Sequence, residues 1–262
     1  MILDKITEKT RERVEDLKKE SSLEEIKKKA LSCEINNDFP FEKALKKDGM
    51  SYICEIKKAS PSKGDIVLED GFDEIRIARE YESGGASAIS ILTEPFFFKG
   101  NNQYVKNVFS TVEIPILRKD FVVDEYMIYE AKTIGASAIL LICSILDSKT
   151  LKSYLDLAHS LGLSALVEAH DEDEVKTAIE SGARIIGVNN RNLKDFTVDF
   201  SNAINLRKEV PDDVIFVSES GVKTKEDIDL LKENNVDAVL IGEFFMKSED
   251  KAKMINYLDG RE

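Results

Sequence analysis

Hydrophobic positions along this chain fall into two rhythms. In residues 1–48, Ile2, Leu3, Ile6, Val14 and Leu17, then Leu23, Ile26 and Ala30, recur at helical spacing amid dense charge, which predicts two helices ahead of the main fold. From residue 49 onward a different phrase repeats. GGASAISILTE (84–94), GASAILLICS (135–144), LGLSALVEAH (161–170), GARIIGVNNR (182–191) and NNVDAVLIGE (234–243) each open on a helix stop, run through four or five apolar residues and end abruptly in polar ones. YICEIKK, IPILRKD and VIFVSES carry the same apolar body and polar end. Between the runs lie amphipathic helical patterns such as DEYMIYEAKTIG, with Asp124 as its N-cap, DEDEVKTAIESG and TKEDIDLLKENN.

About eight strands alternating with helices predict an α/β fold, a (β/α)8 TIM barrel over residues 49–262, with residues 1–48 as an N-terminal helical extension packed on it. A doubly wound open sheet would need fewer strands and a Gly-rich first turn, and neither GxGxxG nor GxxxxGK[ST] occurs. Barrel active sites lie at the carboxyl ends of the strands. There this chain offers Glu55 and Lys57, Thr93 and Glu94, Arg118 and Lys119, Ser144, Glu168 and His170, Asn189 and Arg191, Glu219 and Ser220, and Gly242 and Glu243.

A strand period of two aims both Glu55 and Lys57 at the barrel axis. An ion pair that merely fills the mouth would account for these two alone. Lys119, Glu168 and Asn189 converge on the same mouth from three other strands, which points to a reaction site. SESGV (218–222) and LIGEFF (240–245) follow the last two strands, where this fold commonly binds phosphate. Ser220, Gly221, Gly242 and the backbone of Glu243 form the predicted cradle, with the Glu243 carboxylate turned away from the anion. The alternative is that the two glycines only permit tight turns.

Composition narrows the chemistry. With 42% hydrophobic and 33% charged residues, the 262-residue chain can bury a full core. Its net charge of −13 argues against a nucleic-acid or anionic-membrane partner, while leaving room for a local basic pocket for an anionic small molecule. No apolar run approaches the roughly 20 residues of a membrane span, and MILDKITEKTRERVEDLKK lacks a signal-peptide pattern, so a cytoplasmic protein is expected. Cys33, Cys54 and Cys143, odd in number and far apart, read as small core residues rather than disulfide partners or metal ligands. Only two histidines occur: His159, on a helix without an evident partner, and His170, an orienting or solvated residue. A multi-histidine metal site is excluded, and the chemistry falls to Lys, carboxylates, Asn and backbone amides.

Six segments carry a family resemblance: EIKKASPSKG (55–64), ILTE (91–94), PILRKDF (115–121), LVE (166–168), GVNNRNL (187–193) and ESG (219–221). In this order, and with a helical N-terminal extension beginning ILDKI, the chain resembles indole-3-glycerol phosphate synthases nearly end to end. Phe244 stands where a Ser is usual after the second phosphate-loop Gly, and Ala169 where Val is more typical. The resemblance implies a carbon–carbon lyase, a carboxy-lyase of tryptophan biosynthesis. Such an enzyme converts 1-(o-carboxyphenylamino)-1-deoxyribulose 5-phosphate to indole-3-glycerol phosphate with release of carbon dioxide and water.

It also implies roles. Lys119 matches the general acid, and Lys57 lies near the anthranilate carboxylate or serves as acid in its place. Glu168, and after it Glu55, handle the proton work of dehydration, while Asn189 orients the hydroxyl or Glu55. Ser60 and Pro61 begin a covering loop with Gly64 as hinge, and Phe98 and Phe121 form an apolar wall for the aromatic ring. Arg191 and Glu219 join Ser220, Gly221, Gly242 and Glu243 in binding substrate and phosphate. The expected partner is a phosphorylated small molecule, with no cofactor, no metal, no nucleic acid and no membrane. The expected state is a monomer, with a weak homodimer as the alternative. Two other functions stay open: a Schiff-base aldolase using Lys119 or Lys57 on a sugar phosphate, and a barrel that serves as a non-catalytic binding subunit.

Overall fold

Eight apolar runs become eight parallel strands that close on one another: β1 Ser51–Ile56, β2 Ala88–Leu92, β3 Ile116–Lys119, β4 Ala138–Ile142, β5 Ser164–Ala169, β6 Ile185–Asn189, β7 Ile215–Glu219 and β8 Ala238–Ile241. Each pairs with its sequence neighbour, and β1 closes the ring against β8 with Ser51 opposite Ala238 and Cys54 opposite Ile241. The computed structural model describes residues 2–67, 71–192 and 196–261; Met1, Leu193 of the GVNNRNL motif and Glu262 lie outside them. The predicted (β/α)8 barrel is thus present, with helices between its strands.

Both faces of every strand are covered, which explains why the runs read as continuously apolar rather than alternating. Alternation survives in direction. Ile53, Leu117, Leu140, Leu166, Val217 and Leu240 fill the barrel interior, whereas Tyr52, Cys54, Ile56, Ile139, Leu141 and Val167 pack outward against the helices. The helices start where side-chain oxygens meet free N–H groups: Asp124 accepts from Tyr126, Asp171 from Glu174, and Thr224 forms a capping box with Asp227.

Three helices, not two, precede the first strand: α1 Ile2–Glu20, α2 Leu23–Ser32 and α3 Pro40–Leu45. At six residues α3 is too short for a helical period to be legible, yet its Phe41 and Leu45 join the interior cluster and are fully buried there. Glu42 fixes it, accepting from Ser164 Oγ at 3.1 Å and pairing with Arg184 at 2.7 Å. His159 has a partner after all: its ring meets Phe39 edge-on at 5.9 Å, and burial together with Arg184 pushes its pKa down to about 4.

At the other end, α1 is tied down by charge. Arg13 donates to both oxygens of Asp120 at 2.9 Å, and Lys18 pairs with Asp124 at 2.7 Å. Arg118 points outward, because its strand neighbours Leu117 and Lys119 point inward. It is 1% exposed and donates to Glu130 at 2.6 Å, the Met127 carbonyl at 2.7 Å and Thr93 Oγ1 at 3.2 Å. Arg118 and Thr93, which end their runs in the sequence, are therefore parts of the wall and not of the mouth. Arg118→Ala leaves Glu130 without its cation in a dry site, so urea denaturation should report a loss of about 3–5 kcal/mol. A variant within about 0.5 kcal/mol of wild type would contradict this account of the pair.

Candidate active site

The strand ends surround a cavity of about 800 Å³ that Glu55, Lys57, Lys119, Glu168, Asn189 and Glu219 line from within. The sequence gathers these side chains because each sits at an inward position near the last residue of its strand. Lys119 is the hub. Its Nζ lies 2.6 Å from Glu219 Oε2 and 3.4 Å from Glu168 Oε2. Burial works against its charge, but Glu219, Glu168 and Glu55 outweigh that cost and hold its pKa above the ordinary lysine value. Lys57 forms a second pair, 2.5 Å from Glu55 Oε1.

The two carboxylates that share Lys119 differ. Glu219 is nearer to the lysine, yet burial raises its pKa to about 7 against the pull of Lys119. Glu168 is farther away, and its pKa falls: burial raises it, but Lys119, His170 and Asn189 together pull it down. Neighbouring charges and hydrogen bonds explain the order: His170 favours the Glu168 carboxylate, and Glu168 itself disfavours that of Glu219. Asn189 Nδ2 donates to Glu168 Oε1 at 3.4 Å, whereas Glu219 Oε1 is buried without a partner. Near neutrality a proton therefore goes to Glu219 before Glu168, and with it in place the two lysines are balanced by Glu55 and Glu168.

Several expectations change at this point. Asn189 orients Glu168 rather than Glu55, and its Oδ1 accepts from Ser220 Oγ and the Arg191 N–H, each at 3.0 Å. Glu219, expected beside Ser220 and Gly221 in anion binding, turns its carboxylate to Lys119 instead. Ser220 braces its loop: its N–H meets the Leu240 carbonyl at 3.4 Å and its hydroxyl is engaged by Asn189. Gly242 does more than allow an anion to approach, since a Cβ there would collide with the Glu55 carboxylate and crowd Lys57 Nζ at 3.0 Å.

The remaining lining matches its sequence positions. Gly221, at φ +100°, borders the cavity together with Gly242 and Glu243. Lys63, Arg191, Lys223 and Lys247 line the cavity too, a local cationic group in an acidic chain. The Glu243 carboxylate is drawn off by Lys247 at 2.7 Å and faces Arg191 at 4.0 Å. Phe98 and Phe121 stand side by side with ring centroids 5.8 Å apart. Ser60 and Gly64 pair across a two-stranded turn at the rim, with Gly64 in the left-handed region at φ +66°.

Sequence reasoning missed how the wall is held. Glu94 is fully buried and accepts the N–H groups of Phe96, Phe97 and Phe98 at 2.7–3.0 Å, so it sets the position of Phe98 rather than facing the cavity. Ile2, Leu3 and Ile6 of α1 line the cavity as well. Their helical spacing was visible; the end of the barrel they cover was not. Among the described residues, no group of three or more His, Cys, Asp and Glu side chains is arranged to hold a metal ion. Nor is any helix there long and apolar enough to cross a membrane.

Comparison with known proteins fits this geometry. Among solved structures, the fold is similar to 3-hexulose-6-phosphate synthase from Salmonella typhimurium, with a TM-score of 0.66 at 14% identity over 81% of this chain and 98% of that one. Thiamine phosphate pyrophosphorylase from Pyrococcus furiosus gives 0.61 at 16% identity over 81% and 94%. Likeness at this level concerns the barrel alone. Indole-3-glycerol phosphate synthase of Ruminiclostridium cellulolyticum is 56% identical over 99% of both chains, and that of Endomicrobium trichonymphae is 54% identical over 98% of this chain and 99% of its own. The chain also matches the family described as indole-3-glycerol phosphate synthase over residues 3–258. With nearly the whole length matched, the chain belongs to the indole-3-glycerol phosphate synthase family.

Proposed function

We propose that the barrel mouth closes the pyrrole ring of 1-(o-carboxyphenylamino)-1-deoxyribulose 5-phosphate, releasing carbon dioxide and water to give indole-3-glycerol phosphate. The observation that carries this reading is the placement of Lys57, Lys119 and Glu168 in one cavity, between the Phe98–Phe121 wall and the cation-flanked loops of Gly221 and Gly242. The aromatic ring rests on the apolar wall, and the phosphate meets the backbone of Gly221, Gly242 and Glu243 with Arg191 at hand. A mouth whose internal charges balance accepts a substrate that is anionic at both ends without added repulsion.

Lys119 protonates the keto oxygen as the ring carbon bearing the carboxylate attacks. Its raised pKa keeps it in the protonated form that a donor must have before the reaction starts. Lys57, oriented by Glu55, faces the carboxylate until it leaves as carbon dioxide. Departure of carbon dioxide restores the benzene ring, and loss of the hydroxyl as water and of the adjacent C–H proton then forms the double bond of the pyrrole, with Glu168 as base and Asn189 fixing its direction. A Schiff-base aldolase would need a neutral lysine, and the carboxylates around Lys119 oppose that. A barrel reduced to binding would have lost pocket charges, and these are all present. We further propose a cytoplasmic monomer; its cysteines Cys33, Cys54 and Cys143 are free thiols.

Indole absorbance on adding the substrate tests the reaction directly, and a chain with no Trp contributes no indole background. Lys119→Ala should lower kcat by roughly 100-fold or more with a smaller change in KM; near-normal turnover moves the acid role to Lys57. Gly242→Ala should displace the Glu55–Lys57 pair, so kcat falls together with calorimetric affinity for inorganic phosphate. Loss of phosphate affinity alone would mean that the pair adapts.

Glu219 gives a pH signature. Its folded-state pKa of about 7 exceeds the ordinary 4.5, so its neutral form stabilises the fold below pH 4.5 and that contribution is lost as pH rises through 7. Glu219→Gln should therefore gain thermal stability relative to wild type between about pH 5 and 8. Parallel melting curves at all pH values would refute the assignment of the proton to Glu219.

A further inference from the structure

The proposed reaction does not conserve protons within the mouth. Two are delivered, one to the keto oxygen and one to the departing hydroxyl, and one is recovered from the C–H bond. The carboxylate leaves as neutral carbon dioxide, so each turnover takes up one proton from water. Lys119, Glu168 and Glu219 are 12%, 5% and 2% exposed at the side chain, and bound substrate covers the cavity side. Recharging the site through the mouth must then await product departure.

A second route leads out behind the strand. Glu168 and His170 lie two residues apart on and just beyond β5 and share a face. His170 Nε2 stands 3.4 Å from Glu168 Oε1 and is buried without a hydrogen bond. The other ring nitrogen, Nδ1, lies 3.1 Å from Glu174 Oε2, and the same oxygen accepts the His170 N–H at 2.8 Å. Glu174 is in the first turn of the helix Glu172–Glu180, capped by Asp171, and its side chain is 21% exposed. Asn202 holds the His170 carbonyl at 3.1 Å, so the imidazole is fixed from two elements.

We infer that Glu168, His170 and Glu174 form a proton relay that recharges the covered mouth from solvent on the outer side of the barrel. The inference rests on the reaction proposed above. Once Glu168 has handed the proton recovered from the C–H bond to Lys119, 3.4 Å away, Glu174, protonated from water, passes its proton to Nδ1 while Nε2–H is given to the Glu168 carboxylate. The imidazole ends as its other tautomer, and exchange with solvent resets it. No bond to substrate changes in this step, so His170 is a proton carrier and not a group that touches the reacting atoms. The groups facing it are consistent with that task. Glu174 and Glu168 set negative charge on either side of it; burial lowers its pKa, but these carboxylates win and raise it. The Cys143 thiol, which bonds the Glu174 carbonyl at 3.5 Å, stays neutral because burial pushes it up to about 12.

Rapid-mixing kinetics on His170→Asn and Glu174→Gln tests the relay, because neither replacement carries a proton and both keep polar contact. In dilute buffer, the first turnover of Glu174→Gln should stay within about twofold of wild type while its later turnovers, and those of His170→Asn, slow by roughly tenfold, and added imidazole should restore the later turnovers. Steady-state rates equal to wild type at every buffer concentration in both variants would overturn the relay and leave the proposed reaction standing. A first turnover slowed as much as the later ones, with no recovery in imidazole, would overturn it too, showing that His170 only orients Glu168. A wild-type chain that forms no indole product removes the reaction and the relay together.

Discussion

One buried ammonium group organises the mouth of this barrel. Lys119 stands between Glu219 and Glu168 where little water reaches, and a charge so placed is tolerated only with carboxylates in contact. The same need works on its partners. Glu168 has Asn189 and His170 as well and stays ionised; Glu219 has the lysine alone and takes up a proton near neutrality. An acid and a base with separated pKa values therefore arise from two glutamates of identical chemistry, by the number of donors each can reach.

Space around these charges is reserved by glycines. A Cβ on Gly187 would collide with Glu219 Oε1, and one on Gly242 with Glu55 Oε1, so each carboxylate occupies room left by the neighbouring strand. Gly187 sits opposite Glu168 on β5 and Val217 on β7, which brings that room directly beside the hub. Outside the strands, a second set of buried charges does a different job. Arg13, Asp120, Thr93, Arg118 and Glu130 join α1 to β2, β3 and the helix Glu125–Thr133. Asp120 links the two sets, since the residue before it is Lys119 and the residue after it is the wall residue Phe121. Burial would raise the Asp120 pKa, but Arg13 and Arg118 hold it low.

Much of this was legible from residue order. Repeated apolar runs with polar ends fixed the strand count, and a period of two aimed Glu55, Lys57, Lys119 and Glu168 inward. The same rule applied to Arg118 would have turned it outward, away from the mouth. The short helix Pro40–Leu45 escaped notice because six residues carry too little period to register, although Phe41 and Leu45 are as buried as any strand residue.

Sequence by itself determined which chemical groups meet at the mouth, because strand order, strand ends and alternation are local properties that a closed barrel converts into convergence. Only the tertiary structure decided what each group does there. Whether Asn189 faces Glu168 or Glu55, whether Glu219 serves an anion or Lys119, and whether His170 reaches both Glu168 and Glu174 depend on distances of a few ångström between strands far apart in the chain. Charge in a buried mouth is set by those distances and by exclusion of water, and neither is written in the spacing of residues.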